Sequence, residues 1–101
     1  MRVMIRGHVD TSAGNEALKN GRLPAVMNDL MEKVKPEAAY FGLAEGVRSF
    51  FIVCDLTDSS ALPALLEPLF FELHAEVEVQ PVMNPEDLRK GLAAMEHTPK
   101  G

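Results

Sequence analysis

Cysteine is almost absent. Cys54 is the only one, which excludes an internal disulfide and fits a reducing cytosol. Its setting, Phe50-Phe51-Ile52-Val53-Cys54, is that of an inert buried thiol rather than a nucleophile. The 3 histidines are scattered without ligand spacing, so neither a zinc nor a haem site is expected, and no other cofactor is implied. No glycine pattern of a phosphate-binding loop is present. Basic runs are missing too, and the formal net charge is -5. Nothing offsets phosphate repulsion, which argues against nucleic acid or an anionic membrane as partner. No stretch approaches transmembrane length, and Arg2 and Arg6 interrupt the apolar segment that a signal peptide would need. A soluble, mildly acidic cytoplasmic protein is the expectation.

What is present suits one folded unit. The chain has 101 residues, 47% of them hydrophobic and 25% charged, enough for a single core and too few for two. Residues 1–96 are expected to form one domain, and residues 97–101 to fray.

Two strand–helix–strand units follow one another. The first runs over residues 2–10, a helical stretch to Lys35, and residues 38–43. The second runs over residues 48–56, a helical stretch to Leu73, and residues 76–83. This order predicts an α+β, ferredoxin-like β-α-β-β-α-β sandwich. In the first strand Val3, Ile5, Gly7 and Val9 alternate with Arg2, Met4, Arg6, His8 and Asp10, so the first set should meet the helices and the second should line the opposite face. Asp10-Thr11-Ser12 offers caps for a short turn through residues 15–18, and Asn20-Gly21 reads as a stop. Leu23, Val26, Met27, Leu30, Met31 and Val34 form the apolar stripe of the main helix, which Pro36 closes. Ala44-Glu45-Gly46 is a hairpin turn. The unbroken apolar run over residues 50–54 suits a strand buried on both faces. Leu62, Leu65, Leu66, Leu69, Phe70 and Leu73 keep helical phase across Pro68, which should kink that helix rather than end it. In the last strand Val77, Val79 and Pro81 oppose Glu76, Glu78 and Gln80. Asn84-Pro85-Glu86-Asp87 then starts a C-terminal helix with Leu88, Leu92 and Met95 on one side.

Such a fold covers one sheet face with helices and leaves the other open. With the strand order four-one-three-two expected of it, Arg2 and Arg6 share the open face with Glu76 and Glu78, and Met4, Tyr40, Phe51 and Val53 supply an apolar centre. A face of this kind calls for a cover, and the simplest is a second copy across a two-fold axis. A homodimer through the helix-free sheet face is therefore expected.

The element order, together with Glu67-Pro68-Leu69-Phe70 and the segment 76–88 that follows, resembles the dimeric α+β barrel superfamily, and within it a small bacterial family without established activity. The likeness extends to about Leu92. It implies a dimeric α+β barrel with a cavity for a small apolar or aromatic ligand. Relatives in that superfamily include muconolactone isomerases, cofactor-independent quinone-forming monooxygenases, haem-degrading enzymes and ligand-sensing domains. None of their catalytic sets maps onto positions here.

One polar constellation is available. His8 lies near the end of the first strand, and Asp55 near the end of the third, taken as parallel to it, which would set both at one edge of the sheet. His8 would act as general base, Asp55 as its carboxylate and Arg6 as the holder of an oxyanion, with Tyr40, Phe51 and Glu78 lining the ligand. The pocket would lie between sheet and helices or inside the dimeric barrel. The competing reading spends Arg6 on an acid and leaves His8 at a solvated strand end. His74 suits the negative end of the second helix. Lys19 and Asn20-Gly21-Arg22 offer either an anion site or a plain interhelical turn. Two functions stay open: a cofactor-independent enzyme of monooxygenase or isomerase type acting on a small aromatic or carbonyl compound, and a non-catalytic metabolite-sensing or protein-assembly module.

Overall fold

The computed structural model describes residues 1–96; the expected fraying of residues 97–101 lies outside them. The elements are β1 (Arg2–His8), α1 (Thr11–Lys19), α2 (Arg22–Val34), β2 (Ala38–Ala44), β3 (Val47–Asp55), α3 (Leu62–Leu73), β4 (Glu76–Pro81) and α4 (Pro85–Glu96). The four strands make one antiparallel sheet in the order β2-β3-β1-β4, an α+β arrangement compatible with the ferredoxin-like fold.

One expectation about strand direction is overturned. β3 runs antiparallel to β1, not parallel to it. The helical crossover returns β2 in the direction of β1, and the tight hairpin then reverses the chain into β3. Glu45 (φ 56°) and Gly46 (φ 79°) both take the left-handed conformation, as a two-residue hairpin loop whose twist matches its strands requires.

Local chemistry sets the helix limits. The Asp10 carboxylate accepts from the Ala13 N–H at 2.8 Å. That cap starts α1 earlier than its apolar residues suggest, making it a full helix rather than the short turn expected. Gly21 (φ 79°) turns the chain into α2. α2 stops at Lys35, which sits left-handed before Pro36, a residue that cannot tolerate a helical predecessor. α3 continues through Pro68 to Leu73.

β1 presents Val3, Ile5 and Gly7 to the helices, and β3 presents Phe50, Ile52 and Cys54. Val26 and Leu30 of α2 and Leu66, Leu69 and Leu73 of α3 close over them. Gly7 permits the central crossing: a Cβ there would lie 2.0 Å from Cζ of Phe50. Removing such side chains from water supplies about 1.5–3 kcal/mol each.

α4 stands apart from this packing. Asn84 and Asp87 cap it reciprocally, the Asp87 N–H donating to Asn84 Oδ1 at 2.7 Å and the Asn84 N–H to Asp87 Oδ2 at 3.2 Å. The helix buries none of its residues. Among the described residues no helix is long and apolar enough to cross a membrane.

Candidate functional site: the helix-free sheet face

Directly opposed residues of antiparallel strands point to the same side, so the registers define the open face row by row. Across β2-β3-β1-β4 one row reads Ala38, Val53, Met4, Gln80. The next reads Tyr40, Phe51, Arg6, Glu78, and the third Gly42, Ser49, His8, Glu76. At the far end Asp55 opposes Arg2. Met4, Phe51 and Val53 are half-buried and Tyr40 is 70% exposed. The apolar centre therefore lies on β1 and β3 and extends to the β2 edge, whereas the β4 edge is acidic.

Arg6 occupies the middle of this surface. Its guanidinium lies 3.9 Å from the Glu78 carboxylate and 6.0 Å from the centre of the Phe51 ring, at the outer limit of a cation–π contact. Both groups hold the cation over the apolar centre, and the wide Glu78 spacing leaves its donors able to take another acceptor. Of the expected ligand-lining residues, Tyr40, Phe51 and Glu78 share a single row with Arg6.

The proposed catalytic trio is not assembled. Asp55 lies six residues along the strand pair from the level of His8, about 20 Å away, because β3 is antiparallel to β1. It pairs with the Met1 ammonium at 2.7 Å. His8 Nδ1 is instead 2.9 Å from the Ser49 hydroxyl, which in turn donates to the Val47 carbonyl at 3.0 Å. Ser49 was legible only through the register, since it stands between Arg48 and the apolar run over residues 50–54 with no motif to mark it. His8 also borders an open cavity of about 300 Å³ with Asp10, Glu45, His74 and Glu76. The space between sheet and helices does not include His8. It is filled centrally by Phe50 and Leu69, and an edge niche of about 210 Å³ lies beside them, lined by Leu23, Met27, Phe41 and Phe50 among others.

Arg2 organises the other end of the face. It donates from Nε to Glu37 and from Nη1 to Asp87, tying β1 to the first turn of α4. These acids raise the Arg2 pKa, the Glu37 hydrogen bond foremost. The Asp87 carboxyl is held below its ordinary range, first by the Asn84 N–H and then by Arg2. Burial pushes the Cys54 thiol up, with help from Asp55 and Glu37, in line with an unreactive core cysteine. Lys19 lies 3.8 Å from Glu16 with both side chains exposed, and Arg22 donates to Glu72 at 2.9 Å, so of the two cations at the interhelical turn Arg22 is the one held by an acid.

The sequence matches no protein-family model and no curated protein. Among the described residues, no three His, Cys, Asp or Glu side chains converge as a metal site.

Proposed function

We propose that this chain is a homodimeric small-molecule-binding protein in which two helix-free faces close on each other around a small aromatic or carbonyl compound. The observation that carries this reading is the row Tyr40, Phe51, Arg6, Glu78. It joins two aromatic rings to a cation that keeps hydrogen-bonding capacity, beside the apolar pair Met4 and Val53. Two such rows facing one another would form a dimeric α+β barrel with stacking surfaces for an aromatic ring and a donor for its carbonyl or carboxylate oxygen. Binding is favoured over catalysis because Asp55 lies at the opposite end of the face from His8 and His8 Nδ1 is oriented by the Ser49 hydroxyl instead of a carboxylate.

Light scattering tests the assembly. The wild-type chain should be a dimer at micromolar concentration, and Phe51→Asp should be a folded monomer or fail to fold, since an unpaired charge buried in the interface costs several kcal/mol. A dimeric Phe51→Asp protein would remove the face from the interface. Ligand-observed NMR with benzoate and phenol as probes tests the site. Arg6→Ala should weaken benzoate about tenfold while sparing phenol, and equal losses would discard the anchoring role of Arg6.

A further inference from the structure

α4 has an apolar side that the described residues leave exposed. Leu88, Leu92 and Met95 recur at spacings of four and three, and they are 45%, 52% and 66% exposed. Single exposed leucines are ordinary, but an aligned set on a capped helix marks a docking surface. The Cα envelope measures 58 × 27 × 22 Å, far longer than the roughly 30 Å of a nine-residue strand. The helix therefore extends the molecule instead of folding back over the sheet.

We infer that α4 docks through Leu88, Leu92 and Met95 on a second copy of this chain, as part of the same interface as the open sheet face; the inference rests on the dimeric reading above. Continuity supports that occupant. Arg2 belongs to the open face, in register with Asp55, and its guanidinium holds Asp87 in the first turn of α4. The helix is thus rooted on the surface that meets the partner. Area gives the second argument. Four strands spaced about 4.8 Å apart with about 20 Å of paired length project a face of roughly 400 Å². A stable interface removes about 800 Å² from each partner, so the sheet contact falls short alone. α4 adds a rod about 18 Å long.

Sedimentation velocity over a dilution series, with circular dichroism as the check on folding, decides this on the full chain. Leu88→Glu/Leu92→Glu alters only partly exposed positions, so the helical signal of the domain should persist. The dimer dissociation constant should rise at least a hundredfold, and the conservative Leu88→Met/Leu92→Met variant should stay within about threefold of wild type. A doubly charged variant that dimerises as tightly as wild type would overturn the α4 inference while leaving face-to-face assembly standing. In that case Phe51→Asp would still give monomers. A wild-type chain that is monomeric at 100-fold above micromolar concentration would overturn both.

Discussion

At the scale of single residues, the molecule depends on one glycine. Gly7 lies opposite Phe50 on the helix side of the sheet, and the Phe50 ring occupies the space that a side chain at position 7 would need. Gly7→Ala should therefore destabilise the domain by about 3 kcal/mol, through overpacking of a ring that has no room to retreat. Phe50→Leu opens a gap at the same point. The double variant Gly7→Ala/Phe50→Leu should be more stable than the sum of the single losses predicts, by 1 kcal/mol or more, because the two sites share one volume. Urea denaturation of the four proteins measures that coupling. Strict additivity would mean that the ring moves aside freely and that Gly7 is not required by packing. The same scale explains why Cys54 is quiet: its thiol is buried in the layer that holds Ile52 and Val3, away from the open face.

At the scale of elements, α4 hangs on a hinge of three side chains, Asn84, Asp87 and Arg2. The Asp87 pKa is lowered in the fold from its ordinary 3.8, so its charged form is the stabilising one. That contribution is complete above the unfolded value and disappears as pH falls through the folded one. The protection factors of the amides in residues 85–96, referred to intrinsic rates at the same pH, should accordingly fall below about pH 4, before those of the sheet amides, and Asp87→Ala should show the lower protection and faster exchange already at neutral pH. A variant that keeps slow exchange at neutral pH would show that the helix needs no such tether. This hinge also shows what a sequence displays and what it hides. Asn84-Pro85-Glu86-Asp87 announces a helix start because capping is local, and the alternation of Val3, Ile5 and Gly7 announces a sheet face because its period is two. The reach of Arg2 to Asp87 spans 85 positions and has no local signature. Asp55 was misplaced for a different reason: the crossover and the Ala44-Glu45-Gly46 hairpin were both legible, and together they already turn β3 antiparallel to β1. The placing of Tyr40, Phe51, Arg6 and Glu78 in one row follows from alternation once the strand order is known.

At the scale of the whole molecule, the uneven chemistry of the open face bears on how two copies would meet. Its β4 edge carries Glu76 and Glu78, and its β2 edge carries Ala38, Tyr40 and Gly42. A two-fold axis lying across the strands would set each β4 over the partner's β4, bringing like carboxylates together. At about 7 Å and an effective dielectric constant near 20, each such pair costs about 2 kcal/mol. The nearby Arg6, at 3.9 Å from Glu78, offsets only part of that. An axis running along the strands instead sets the acidic edge of one copy over the β2 edge of the other, where the partner's Tyr40 presents a phenolic donor to Glu78. The second arrangement is the one expected. It is checked by mixing two single variants, Tyr40→Cys and Glu78→Cys, and adding a short bifunctional maleimide; the buried Cys54 should not compete. The mixture should yield a covalent dimer on a denaturing gel, and Glu78→Cys alone should yield little. The reverse pattern would mean that the axis crosses the strands and that the carboxylates are neutralised in the dimer. Failure of every pairing would mean that these faces do not stack, and the aromatic row with Arg6 would then be an open surface rather than the wall of an enclosed site.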